Sequence, residues 1–213
     1  MKLTIFIAII IFLRYLVPRL VDFGAPERTE RKSEWDYRVK FAKLNKEKFE
    51  KANQEEKEEL LYYYTHKIRK AHNYSNASFR NMPKPLQVVW LINELETEVN
   101  NGGFSQFFFN SSGRYTEETL EALEAIGAKH NYQLLLNAVQ TVTKSNERIK
   151  TGEINKLIES SDLYNHEKLE EKMYELDEKF YEYKEDFSTL KMNYIEKYKN
   201  DLWKELEEKY GSE

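Results

Sequence analysis

A chain of 213 residues with 33% charged side chains, seven Gly, four Pro and no Cys can bury a domain-sized core built from long helices, and it excludes disulfides, thiolate nucleophiles and cysteine metal sites. The four histidines, His66, His72, His130 and His166, lack zinc-site spacing, so neither a metal nor a cofactor is expected. The net charge of −4 is unevenly spread: residues 1–81 carry 17 Lys or Arg against 11 Asp or Glu, whereas residues 82–213 carry 16 against 26.

That asymmetry admits two readings. A basic half is suited to anionic lipid or nucleic acid, while the acidic half argues against direct nucleic-acid binding and for attraction of a basic protein. The two halves can equally neutralise each other by packing together.

The chain opens with "MKLTIFIAIIIFLRYLVPRL", apolar from Leu3 to Leu13 and extendable to Val17. As a helix, residues 3–17 span about 22 Å against a hydrocarbon layer of about 30 Å. The run reads as a membrane anchor, a transmembrane helix shortened by Arg14. Arg14, Arg19, Arg28, Arg31 and Lys32 follow it, which by the positive-inside rule keeps the main domain cytoplasmic and membrane-associated. A secretory signal peptide, with export after cleavage, is the alternative, although Asp22 and Phe23 make a poor small-x-small site. A buried apolar helix is the third reading.

Residues 33–75 form a charged helical extension, with Trp35, Val39, Ala42, Phe49, Ala52, Leu60, Tyr63, Tyr64 and Ile68 partly at helical spacing and a break near Asn53 and Gln54. The stretch "NYSNASFRNMPKP" reads as a linker, and the main domain is placed at 82–213. Its first helix starts near Pro85. Val88, Leu91, Ile92, Leu95 and Val99 form one apolar face, while Leu86, Val89 and Trp90 cover the opposite side, so the helix is expected at the centre of the domain. Glu94 and Glu98 share the polar strip that remains.

The stretch "EVNNGGFSQFFFNSSG" then interrupts the helical pattern. Gly102 and Gly103 let a helix end in a left-handed residue and let another chain approach closely. Phe104, Phe107 and Phe108 share one face of a following short helix, and Asn110 or Ser111 closes it through side-chain bonds to the backbone. Gln106 is the residue that this structural reading leaves unexplained. A phosphate loop is excluded by the missing strand, spacing and lysine.

Beyond the corner, Thr116 reads as a helix cap, Glu117 and Glu118 as first-turn acids and Gly127 as the stop. A further helix carries Tyr132, Leu135, Leu136 and Val139, and residues 145–162 suggest short helical pieces. Two stripes close the chain: Leu169, Met173, Leu176, Phe180 and Tyr183, then Leu190, Tyr194, Tyr198, Leu202 and Leu206, with a hairpin turn at "DFST". The fold class is all-α, a multi-helix bundle with an N-terminal apolar helix and a helical extension.

The block from Met82 to Ala128 resembles a bacterial helical domain family, largely of unknown function, named after the carboxy-terminal domain of a DNA-mimic protein. Asn100, Asn101, Gly102, Gly103, Phe104, Gln106, Phe107, Phe108, Asn110, Ser111 and Gly113 carry the resemblance, which fades through Tyr198 and does not reach the first 75 residues or so. In the member that names the family, an all-helical dimer displays carboxylates in a DNA-like layout and binds a transcription factor in place of its operator. The resemblance thus implies a homodimer, and it brings no catalytic residues. The 16 cations of the acidic half and the apolar start depart from a plain mimic.

The main functional expectation is a non-enzymatic module presenting an acidic helical surface, with Glu94, Glu98, Glu117, Glu118, Glu121 and Glu124 as partner-binding candidates, to a basic protein, with membrane contact through residues 3–17. The alternatives are a DNA mimic that sequesters a DNA-binding protein, a membrane-associated accessory protein, and a hydrolase-like enzyme using Glu94, Glu98, Asn101, Gln106 and His130.

Overall fold

The chain divides into two units, Met1–Lys40 and Phe41–Glu213. The computed structural model describes residues 44, 46–144, 153–156 and 167–210, all in the second unit, and the expected apolar helix over 3–17 lies outside them. Every regular element among the described residues is helical, so the all-α, multi-helix architecture stands.

After α1 (Lys46–Lys51), α2 (Gln54–Ala71) starts at a capping box: Asn53 Oδ1 accepts from the Glu56 amide at 2.9 Å and the Glu56 carboxylate accepts from the Asn53 amide at 3.2 Å. Glu55 and Glu56 in its first turn and Arg69 and Lys70 in its last complement the helix dipole. Leu60, Leu61, Tyr64 and Ile68 are its buried face. The expected linker contains a short helix, α3 (Asn76–Asn81), whose first turn is capped by Ser75 accepting from the Ser78 amide.

α4 (Lys84–Phe109) is apolar on all sides over its first half. It is accordingly packed by α2, by a 3-10 turn at Ser111–Tyr115, by α5 (Thr116–Ile126), and by the C-terminal helices α7 (Glu167–Phe180) and α8 (Phe187–Tyr210). α6 (Lys129–Thr143) packs on α5 and α7. Leu86, Ile92, Leu95, Val99, Phe104 and Phe107 are completely buried along α4, which makes this helix the axis of the core.

α5 ends at Gly127, φ 81°, where the Gly127 and Ala128 amides bond back to Glu124 and Leu123 as in a left-handed C-terminal cap. Thr116, however, is not its cap. Thr116 already has helical dihedrals and its hydroxyl donates to the Gly113 carbonyl at 2.6 Å, leaving the amide of Glu117 to Asn155 Oδ1 at 3.0 Å. The C-terminal hairpin also turns earlier than "DFST": residues 181–186 form it, Tyr183 takes φ 48° and is exposed, and Asp186 caps α8 by accepting from the Thr189 amide and hydroxyl.

The expected transmembrane helix and membrane-associated location are corrected. Among the described residues no helix is long and apolar enough to cross a membrane, and residues 3–17, on which the expectation rested, lie outside them. The physical reason is visible in α4, the most apolar long helix: Glu94, Glu96 and Glu98 interrupt its apolar run, and its hydrophobic side chains are spent on the protein's own core.

Candidate functional site

The helical path of α4 breaks at the glycine pair. Gly102 is extended (φ −169°), whereas Gly103 takes φ 73° and ψ −177°, a region that residues with a side chain essentially never occupy. A Cβ at Gly103 would lie 2.2 Å from Asp177 Oδ2. Space is that tight because α7 closes over the break. Asp177 Oδ1 accepts from the Phe104 amide at 2.8 Å, Tyr181 donates its hydroxyl to the Val99 carbonyl at 2.8 Å, and Tyr183 donates to Asn100 Oδ1 at 3.0 Å. The end of α7 thereby satisfies backbone groups on both sides of the interrupted helix. Burial pushes the Asp177 carboxyl up, opposed by the Phe104 amide.

Beyond the break, Phe104, Phe107 and Phe108 face the core, with Phe104 edge-on to Phe180 at 5.8 Å, while Asn101 and Phe109 are exposed. Gly113 lies so close to the helix end that a Cβ would meet the Phe108 carbonyl oxygen at 2.4 Å. The 3-10 turn is thus folded back onto α4, with the Ser111 carbonyl accepting from Arg114 Nε.

This fold-back builds a carboxylate node. Glu98 Oε2 accepts from Gln106 Nε2 and Asn110 Nδ2, both at 2.7 Å, and Glu98 Oε1 accepts from the Ser112 hydroxyl at 3.3 Å. The same hydroxyl is 3.4 Å from Glu94 Oε2. Gln106 therefore ties the second half of α4 to the first across the break, a role without any local sequence signal. Burial, reinforced by Glu98, holds the Glu94 carboxyl above the ordinary glutamate range, with Ser112 and Arg69 opposing. His66 Nε2 lies 4.0 Å from Glu94, but burial of its ring lowers its pKa, so near neutrality the imidazole carries no charge to pair with. Both oxygens of Glu98 are filled by donors of the fold itself. The pair is a clasp joining α4, the corner and the turn.

The other candidates separate. His130 donates its backbone amide to Glu185 Oε1 at the start of α6, where Glu185 Oε2 also takes the Asn131 amide and side chain. On α5, Glu118 is held by Arg80 at 3.1 Å and by Asn155 Nδ2 at 2.9 Å, while Glu121 and Glu124 are exposed on the outer face. Among the described residues no group of three or more His, Cys, Asp or Glu could hold a metal ion.

Sequence reasoning missed Asp177, Glu185 and Asn155, which cap helices far away in the chain, and it missed Arg69. Arg69 is buried with its guanidinium 4.5 Å from the Trp90 ring centre and within 6 Å of those of Tyr74, Phe79 and Tyr115. It donates to the Tyr74 and Ser75 carbonyls, the Ser78 hydroxyl and the Tyr115 hydroxyl, fastening the α2–α3 connection to α4. Its place among the last-turn cations of α2 gives no hint of this.

A family model described as DMP19-like protein matches residues 80–198, more than half of the chain. The matched span holds the glycine corner, the carboxylate node, α5 and the closing α7, and leaves out α2. No curated protein and no solved structure matches the chain.

Proposed function

The chain belongs to the DMP19-like protein family, and from that premise we propose that it is a non-enzymatic protein-binding domain whose carboxylates take the place of nucleic-acid phosphates before a DNA-binding protein. The observation that carries the reading is the outer face of α5. Its eleven residues contain four glutamates and no lysine or arginine. Glu117, Glu121 and Glu124 follow one another at i, i+4 and i+7, so they share a face, at intervals of about 4.5–6 Å along the helix. One strand of DNA presents a phosphate about every 3.4 Å of its axis. The helix is thus a sparser row of negative charge of the same general kind, and Glu121 and Glu124 stand exposed on it.

Glu94 and Glu98 contribute to this role by holding the corner from which α5 departs, and Glu118 by fixing the start of α5 through Arg80 and Asn155. The partner is a basic protein, since a carboxylate row attracts cations over about 8 Å at physiological ionic strength. A homodimer is the assembly that the family resemblance implies.

The test is competition. A DNA-binding protein captured from the native host with the full chain as bait should release a fluorescent duplex when the chain is added, with the effect weakening as salt rises. Glu121→Lys with Glu124→Lys should abolish release at an unchanged melting temperature. A partner that holds duplex and chain at the same time would overturn mimicry and leave a plain acidic binding module.

A further inference from the structure

A cavity of about 440 Å³ opens between the start of α4 and one face of α8. It falls within the roughly 300–1,000 Å³ of pockets that hold small organic ligands. Tyr194, Tyr198, Asp201, Glu205 and Glu208 line it at i, i+4, i+7, i+11 and i+14, a single stripe of α8, while Lys84 and Pro85 close it from α4. α8 leaves helical dihedrals at Tyr198 (φ −110°, ψ 16°) although it contains neither Pro nor Gly, so its bend falls in the wall of the cavity.

Tyr194 is the residue that points to a ligand. It is 8% exposed, yet its hydroxyl makes no hydrogen bond among the described residues, whereas Tyr115 donates to Asn76 Oδ1 at 2.6 Å and Tyr181 to the Val99 carbonyl at 2.8 Å. The polar side-chain atoms sealed from solvent without a partner are Arg69 Nε, Trp90 Nε1, His130 Nε2 and Trp203 Nε1. The Tyr194 oxygen is not one of them, so it still touches open space, and the space that Tyr194 lines is this cavity. Burial pushes its phenol up to about 12, which keeps it a donor at physiological pH. The Tyr194 and Tyr198 rings lie 4.7 Å apart at 46°, and with Pro85 they form the apolar part of the wall.

The charges around the cavity select the occupant. Glu205 accepts from Lys209 at 3.0 Å and faces the Lys84 amide at 3.4 Å, and Glu208 pairs with Lys204 at 4.0 Å. Two charged groups are left over: the Asp201 carboxylate and the Lys84 ammonium, both exposed, make no hydrogen bond or ion pair among the described residues. One free anion and one free cation on facing elements, beside a donor hydroxyl, select a zwitterion. Lys197 already lies 5.0 Å over the Tyr198 ring, so the cationic end of a ligand belongs on Asp201 and not on that ring.

We infer that the α4–α8 cavity binds a free amino acid with an aromatic side chain, its ammonium on Asp201, its carboxylate on Lys84 and the Tyr194 hydroxyl, and its ring against Tyr198 and Pro85. A carboxylate has acceptor sites enough for both donors. The site shares no residue with the α5 face and stands whether or not that face meets a DNA-binding protein.

Calorimetric titration of the full-length chain tests this with L-phenylalanine as the probe. The controls are 2-phenylethylamine, which lacks the carboxylate, 3-phenylpropionate, which lacks the ammonium, and glycine, which lacks the ring. L-Phenylalanine should bind saturably, and each control should bind about tenfold more weakly or worse. Asp201→Asn should erase the preference over 3-phenylpropionate, and Lys84→Met the preference over 2-phenylethylamine, both at an unchanged melting temperature because the two residues are exposed. Tyr194→Phe should weaken L-phenylalanine without lowering the melting temperature, since the hydroxyl it removes holds no bond of the fold. Absence of saturable L-phenylalanine binding overturns the site. So does a control that binds as tightly as the probe, or affinity that all three variants leave unchanged, which would put the binding elsewhere on the molecule.

Discussion

Gly103 and Glu94 show how single residues carry the corner. Gly103 combines a positive φ with an extended ψ and has the Asp177 carboxylate where a Cβ would go. Gly103→Ala should therefore cost about 1–3 kcal/mol, measured by urea denaturation. Gly102→Ala should cost less: its φ of −169° is open to any residue, and the clash is with the far end of the Gln106 side chain, which can swing away at the expense of its bond to Glu98. Equal losses for the two would show that the backbone at 103 is not the constraint. Glu94 has the opposite character, a group the fold strains by burying. Because its folded pKa is raised, the native state holds its proton more tightly than the unfolded chain, so this residue's contribution falls as pH rises from the ordinary glutamate value through the folded one. Glu94→Gln should then raise the melting temperature near neutral pH, with the gain disappearing below about pH 4. His66 pulls the other way. Its lowered pKa means stability is lost as pH falls from its ordinary value through the folded one, so the wild-type curve combines both and the variant removes the Glu94 part.

Several helices in this protein are begun by residues far away in sequence. Asp177 serves the second half of α4, Glu185 serves α6, Asn155 serves α5, and Glu205 reaches the Lys84 amide at the start of α4. The acidic residues of the C-terminal hairpin thus stitch the bundle by meeting the positive ends of helices packed beneath them. Glu185 has the best geometry, with three donors within 3.0 Å. Glu185→Ala should cost about 1–2 kcal/mol of stability, the upper part of the range for losing a helix cap, and should raise hydrogen exchange first at the Lys129–Gln133 end of α6. Exchange that rises evenly over the whole molecule would place the role of Glu185 outside α6.

For the whole molecule, the deciding feature is α4, an axis apolar on two opposite sides that the other helices must cover. Its central position was legible from those two apolar faces, because a helix apolar on two sides must be contacted on both. The start of α2 and the end of α5 were equally legible, from the break at Asn53 and Gln54 and from Gly127, since these signals act within a few residues. The need for glycine at 103 belongs with them. Carboxylate roles were not legible. Glu94 and Glu98 at i,i+4 read the same whether they line a solvated strip or close a node, and the partners that decide it, Gln106, Asn110 and Ser112, arrive only once the corner folds back. The hydropathy of residues 3–17 suggested a membrane that no described helix supports, because an apolar run states a need for cover without saying what supplies it. Local periodicity and caps determined the helices of this protein; which charges are consumed inside the fold and which remain on its surface was decided by tertiary structure, because burial and hydrogen-bond partners are contributed by chain segments 55 to 139 residues away.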